Sequence, residues 1–338
     1  MTLWPLGLFG PHPRTGRPGC QRHGHPDRGK LQLYTAAAGV PPQGLLPMYL
    51  DAGTNNATYL ADRLYVGLRQ KRPPTDELYA FVDEFVDAVQ EVFPNCCLHF
   101  EDWTGVDAIA LLVRYRNKVS CYNDDIQGTA GVTLAGLINA LKITGGQLKG
   151  QRILFLGAGS AAIGLADLIV SALGQQGVAP EVARRQIRLF DTQGLVVAGR
   201  PNLPAHMLPY ALPLAASKPF DHLDLATEYP EIVAAIDDFK PTALIGVSTV
   251  GKLFSKDVVQ AMSRHNARPI IFALSNPTQK HECLPEDAYV WSERWFTPAV
   301  CNSRRCIGRD KPSFPPRRTT CISSPRSGWP STPRMRSA

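Results

Sequence analysis

Residues 152–162 read Arg152-Ile153-Leu154-Phe155-Leu156-Gly157-Ala158-Gly159-Ser160-Ala161-Ala162. Four consecutive large apolar residues, Ile153 to Leu156, mark a strand buried on both faces. The turn after it is G-x-G-x-x-A, and an apolar run from Ile163 to about Leu173 continues as a helix. Glycines at such a turn let a pyrophosphate approach the backbone and rest on the helix N-terminus. Gly157, Ala158, Gly159, Ser160, Ala161 and Ala162 are therefore candidate dinucleotide-binding residues. A plain glycine turn in an α/β unit is the competing reading, because the motif alone is weak. The context favours the dinucleotide. Ile187–Phe190 reads as a second strand, and it ends in Asp191, placed to bind an adenosine ribose and so to favour NAD over NADP.

Further units follow downstream: a strand at Ala243–Val247, a helix at Ser255–His265 and a strand at Pro269–Leu274. Residues 198–220 are Pro-rich and read as an irregular insertion. The last strand ends in Ser275-Asn276-Pro277-Thr278. Asn276 at that edge suits a hydrogen bond to a nicotinamide or a substrate carboxylate, with an Asx-type turn before proline as the equal alternative. The pattern predicts an α/β protein whose larger part, residues 127–300, is a doubly wound Rossmann-type dinucleotide domain.

Toward the N-terminus the units are shorter. Leu31-Gln32-Leu33-Tyr34 alternates like a strand, Leu46–Leu50 is an apolar run, and Asp51–Asn56 is a polar loop. Thr75 reads as the N-cap of an amphipathic helix with apolar residues at 78, 81, 82, 85, 86, 89, 92 and 93. Cys97–Phe100 is a short strand delivering Glu101 and Asp102, Val106–Tyr115 is helical, and Val119–Cys121 is the next strand. That strand leads into Tyr122-Asn123-Asp124-Asp125-Ile126-Gln127-Gly128-Thr129 and a helix from Ala130 to Ile143. Two successive strand ends thus carry acidic pairs, and parallel strands joined by a helix place both at one sheet edge. Asp124 and Asp125 as helix caps are the bland reading. Gathered carboxylates repel unless a cation sits among them. We therefore expect a divalent-cation site whose all-oxygen ligands favour Mg²⁺ or Mn²⁺. This smaller α/β portion is expected to span 29–126.

The chain has 338 residues, 44% hydrophobic and 19% charged, enough for two domains with ordinary cores. No apolar run approaches the roughly 20 residues that span a bilayer, so no membrane partner is expected. Eight cysteines form no CxxC pair, which suits a reducing compartment. The net charge of +7 is uneven: residues 1–30 carry +4 and 294–338 carry +9, leaving −6 for 31–293. The basic excess lies in two ends without element pattern, which argues against a nucleic-acid partner. Residues 1–28 and 301–338 are expected to be irregular and disordered.

Ordered motifs along the chain resemble the malic enzyme family. They are Gly29-Lys30-Leu31-Gln32-Leu33-Tyr34-Thr35-Ala36, Asp51-Ala52-Gly53-Thr54-Asn55-Asn56, Tyr65–Arg72, Phe100-Glu101-Asp102, Asn123–Thr129, Ile153–Gly164 and Phe272–Thr278, covering about residues 29–292. The resemblance implies oxidative decarboxylation of L-malate to pyruvate and CO₂, with reduction of NAD, or alternatively NADP, and dependence on Mg²⁺ or Mn²⁺. It implies Glu101, Asp102 and Asp125 as metal ligands. Lys30 is the implied base for the malate C2 hydroxyl proton, and Asp124 the residue that orients or tunes it. Gly157, Gly159 and Asp191 would hold the dinucleotide, and Asn276 would contact substrate or nicotinamide. A homo-oligomer and a cytoplasmic location, with mitochondrial as the alternative, also follow from the resemblance. The sequence departs from the family pattern at both ends. The upstream tyrosine acid, the substrate arginine and the downstream Gly-Asn-Asn segment have no match. The abrupt change to Arg/Pro/Ser/Gly-rich composition leads us to expect frame-shifted ends and a chain of weak or no activity. A non-catalytic homologue that binds dinucleotide or joins a full-length subunit is the alternative. A metal-independent dehydrogenase is a third reading, and it leaves Glu101-Asp102 unexplained.

Overall fold

The computed structural model describes residues 4–9, 30–101, 103, 105–213, 228–276 and 278–292. Asp102, Pro277, and the expected disorder of 10–28 and 301–338 lie outside the described residues. The chain divides between Asn123 and Asp124 into two compact units, each with its own sheet.

The first unit carries a parallel sheet of β1 (Trp4–Phe9), β2 (Leu46–Tyr49), β3 (Cys96–Glu101) and β4 (Cys121–Asn123), in the order β2-β1-β3-β4. Its helices are α1 (Lys30–Ala38), α2 (Ala57–Ala61), α3 (Thr75–Val92) and α4 (Gly105–Tyr115). Helix α3 buries Leu78, Val82, Val86 and Val89, a stripe at helical spacing. Helix α4 buries Ala108, Leu111, Leu112 and Tyr115. The two are tied by Tyr79 Oη donating to Asp107 at 3.0 Å and by Arg114 and Tyr115 donating to Asp83.

Four expectations are corrected here. Leu31–Tyr34 is not a strand but part of α1. Four alternating residues are ambiguous in period, and the alanines at 36, 37 and 38 favour helix. Strand β4 lies two residues later than expected, so it runs directly into Asp124. Thr75 is the first residue of α3, with Pro74 in the N-cap position and no side-chain cap bond. Residues 4–9, inside the stretch expected to be irregular, form β1 between β2 and β3. Pro5 and Gly7 argue locally against a strand, and sheet pairing with two neighbours decides otherwise.

The second unit opens with a π-helical turn, Asp124–Gly128, that leads into α5 (Thr129–Thr144). Its sheet comprises β5 (Ile153–Leu156), β6 (Ile187–Asp191), β7 (Gly194–Leu195), β8 (Ala243–Gly246) and β9 (Ile270–Ala273), in the order β7-β6-β5-β8-β9. All pairs are parallel except β6 with β7. Helices α6 (Ser160–Gly174), α7 (Pro180–Arg185), α8 (Pro230–Phe239), α9 (Lys256–His265) and α10 (Pro285–Ser292) complete the unit. Alternate residues of β5 go to opposite faces. Ile153 and Phe155 join Leu137, Ile163 and Ile169 from α5 and α6, whereas Leu154 and Leu156 join Ile236, Val258 and Met262 from α8 and α9. Helices on both faces of a mainly parallel sheet make this unit doubly wound. The strand order reverses between β5 and β8, and the carboxyl ends there form the crevice where such sheets bind ligands. Among the described residues no helix is long and apolar enough to cross a membrane.

Candidate active site

The carboxyl edge of the second sheet collects the glycine turn and its neighbours. Gly157 has φ +114°, and a β-carbon there would lie 2.5 Å from the Val247 carbonyl oxygen. The turn after β5 and the loop after β8 therefore meet backbone to backbone, which only glycine permits. A β-carbon on Gly159 would meet no protein atom within 4 Å, so the turn faces open space. Gly159 is the N-cap residue of α6, and among the described residues no side-chain cap bond is made there. Ala158, Ser160, Ala161 and Ala162 carry the chain into that helix, and Ala158 and Ala162 are buried beneath it. Exposed amide groups at a helix N-terminus with room above them fit a pyrophosphate.

Asp191 ends β6, one strand away from the turn. Its carboxylate is engaged by Arg200, whose Nη1 donates to Oδ1 at 3.0 Å while Nη2 pairs with Oδ2. Arg200 is the residue that sequence reading missed here. It lies in the Pro-rich stretch, where no periodicity marks a partner. Its side chain is 13% exposed, and its Nε is buried without a hydrogen-bond partner. Asn276 is exposed just beyond Ser275, past the end of β9.

The first unit holds a second polar cluster. Glu101 ends β3 and is 4% exposed, and His99, two residues earlier, is fully buried. Residues i and i+2 of a strand share a face. His99 Nε2 lies 2.6 Å from Glu101 Oε2. His99 Nδ1 lies 3.0 Å from the Tyr34 hydroxyl, which is 2.6 Å from the Tyr122 hydroxyl, and the His99 ring stacks on Tyr122 at 4.6 Å. With Nδ1 as the acceptor, Tyr122 can donate to Tyr34 and Tyr34 to His99. The short approach of His99 Nε2 to Glu101 Oε2 lacks hydrogen-bond alignment and leaves both atoms buried as a close charge contact. His-x-Glu at strand spacing was the available signal for this pair. Tyr34 gave none, because its helix was misread.

The other expected site residues are placed as follows. Lys30 is the first residue of α1. Asp124 and Asp125 are half-buried at the start of the π-helical turn. A β-carbon on Gly128 would overlap Asp124 Oδ1, so the Asp124 side chain folds back over that glycine. Gly128 is the N-cap residue of α5, and the π-helical turn that carries both aspartates runs directly into that helix. Phe100 pairs with Asn123, so β3 and β4 end level at one edge of the first sheet.

Comparison with known proteins converges on one family. The malic enzyme N-terminal domain matches residues 19–116, and the malic enzyme NAD binding domain matches residues 126–300. The first match starts ten residues before the resemblance read from motifs. The NADP-dependent malic enzyme of Homo sapiens is 47% identical over 272 residues, 80% of this chain and 45% of that protein. The NAD-dependent malic enzyme of Escherichia coli O139:H28 is 42% identical over 266 residues, 78% of this chain and 46% of that protein. The chain thus spans about half the length of the curated relatives it matches. Among solved structures, the malic enzyme of Pyrococcus horikoshii superposes with a TM-score of 0.59 at 21% identity, covering 88% of this chain and 59% of that one. The fold is thereby shared.

Proposed function

This chain belongs to the malic enzyme family, and from that premise we propose that it serves the oxidative decarboxylation of L-malate to pyruvate and CO₂ with reduction of a nicotinamide dinucleotide. One observation carries the reading: an uncapped helix N-terminus behind a glycine turn, at the switch point of a doubly wound sheet, in a chain that also ends β3 in a buried carboxylate. Gly157–Ala162 receive the pyrophosphate, Asp191 the adenosine ribose, and Asn276 the nicotinamide or the substrate. Asp191 favours NAD, while Arg200 beside it offers a cation to a 2′-phosphate and keeps NADP in play.

Glu101, Asp102 and Asp125 are proposed to hold Mg²⁺ or Mn²⁺. Carboxylate oxygens are the donors such hard cations prefer, and the buried Glu101, whose Oε2 has no hydrogen-bond donor among the described residues, fits that role. Bound there, the dinucleotide would supply a hydride acceptor and the cation a Lewis acid for the substrate oxygens. Lys30 is proposed to take the proton from the malate C2 hydroxyl, which requires it to be neutral when substrate arrives. Asp124 orients Lys30. We further propose a cytoplasmic homo-oligomer.

The purified chain is tested with L-malate and Mn²⁺, with NAD⁺ and NADP⁺ in separate reactions. Turnover is expected to be weak; what pyruvate and reduced dinucleotide form should do so in equal amounts and stop when a chelator is added. Dinucleotide reduction that survives chelation would replace this reading with a metal-independent dehydrogenase. Dinucleotide and Mn²⁺ binding without turnover would identify a non-catalytic family member.

A further inference from the structure

Glu282 is a carboxylate with 0% exposure in the middle of the second unit, and the function above gives it no role. It follows the helical turn Thr278–Lys280 and lies under the carboxyl edge of the sheet. Its Oε1 lies within hydrogen-bond distance of the Ser248 amide at 3.1 Å, the Ser248 hydroxyl at 2.9 Å and the Ser275 hydroxyl at 2.5 Å. Its Oε2 accepts from the Ser275 amide at 3.3 Å. The Ser275 hydroxyl also accepts from the Thr249 amide at 2.8 Å. Ser248 belongs to the loop after β8 and Ser275 to the loop after β9, so one side chain ties both loops together.

The backbone around Glu282 is equally fixed. Its carbonyl accepts from the Phe254 amide at 3.0 Å, and the His281 carbonyl accepts from Lys252 at 2.9 Å. A β-carbon on Gly246, the last residue of β8, would collide with the Glu282 carboxyl carbon. The glycine thus makes the room in which the carboxyl group sits. The residue before Ser248 is Val247, whose carbonyl abuts Gly157. The glycine turn, the β8 loop and the β9 loop are therefore linked in series, and Asn276 is the next residue beyond the last link.

The strand order gives this linkage a direction. With the pyrophosphate at the β5 turn and the adenosine ribose at Asp191 on β6, the other half of the dinucleotide extends over β8 and β9. We propose that Glu282 is a positioning residue for the nicotinamide half of the site: its carboxylate sets the two loops, and through them Asn276, without touching the adenosine half. The inference rests on the dinucleotide reading above.

The experiment is a titration of the full chain and its variants with NADH and, separately, with ADP, which reports the adenosine ribose and the pyrophosphate at the glycine turn but not the nicotinamide. Glu282→Ala should weaken NADH binding by roughly tenfold or more, the effect of leaving buried donors without their charged acceptor. Glu282→Gln keeps the shape and most acceptor capacity, so its loss should be smaller, about threefold. Gly246→Ala, which displaces the carboxyl group without removing it, should resemble Glu282→Ala. ADP affinity should stay within about twofold in all three, since its contacts are unchanged. Parallel loss of NADH and ADP binding would show a general structural role and overturn the proposal, as would unchanged NADH binding in Glu282→Ala. A wild-type chain that binds ADP but not NADH would also overturn it. A wild-type chain that binds neither would instead remove the dinucleotide reading on which it stands.

Discussion

At the scale of single residues, the Asp191–Arg200 pair is the feature most open to test. An acid at the end of β6 accepts ribose hydroxyls, whereas a guanidinium at the same place attracts a 2′-phosphate, and here the two neutralise one another. Replacing Arg200 by glutamine frees Asp191 and removes the cation. NADPH affinity should fall roughly tenfold, the worth of a charge-assisted bond, while NADH affinity holds or improves. Equal changes for both dinucleotides would show that Arg200 only supports the fold. Cysteine reactivity offers a second test at this scale. Burial pushes the Cys283 thiol up to about 12 and the Cys96 and Cys121 thiols up to about 11. Thiolate is the reactive form, so these three should resist alkylation at neutral pH in the native chain and react only after unfolding. Rapid native labelling of any of them, read by mass spectrometry, would contradict the packing described.

Between elements, the decisive contacts are close approaches and one ion pair. Gly164 on α6 leaves room for Ile126, because a β-carbon there would lie 2.5 Å from Ile126 Cγ2 and 2.8 Å from its carbonyl oxygen. Gly164→Ala should therefore push α6 from the π-helical turn that carries Asp124 and Asp125, costing about 1–3 kcal/mol by denaturant unfolding. A neutral effect would mean that the turn yields freely. In the first unit Asp83 joins α3 to α4. Hydrogen bonds from Arg114 and then Tyr115 lower its pKa to about 2 from an ordinary 3.8. The folded form binds the proton less readily, so its contribution is complete above about pH 4 and is lost as pH falls toward 2. The side chains are 34–40% exposed, so solvent screening limits it to about 0.5–1 kcal/mol. Asp83→Asn should lose that amount at neutral pH and match the wild type near pH 2. These elements also show what sequence alone conveyed. Strands β5, β8 and β9 were legible because a strand buried on both faces must be an unbroken apolar run, and β6 because Ile187 and Leu189 alternate with Arg188 before Asp191. Helix α1 and strand β1 were not, since four alternating residues fit either period and pairing alone makes a strand of a segment containing Pro5 and Gly7. Arg200, Glu282 and Tyr34 escaped because their partners are 9, 7 and 65 residues away or more, a distance no local pattern spans.

For the whole molecule, the division between Asn123 and Asp124 has a thermodynamic consequence. Each unit has its own sheet, and the second has apolar cores on both faces of its sheet, enough to fold cooperatively on its own. Every residue proposed for dinucleotide binding, from Gly157 through Asp191 to Asn276, belongs to that second unit. A ligand stabilises what it binds by mass action, about 2.7 kcal/mol at a hundredfold excess over Kd. Calorimetry of the full chain should therefore show two unfolding transitions. NADH should raise one of them by roughly 5–10 °C for a unit of this size and leave the other in place. Limited proteolysis assigns the transitions, because fragments beginning after Asn123 should be the ones NADH protects. A single transition that shifts as a whole would show that the two units unfold together, and the division at Asn123 would then carry no energetic meaning.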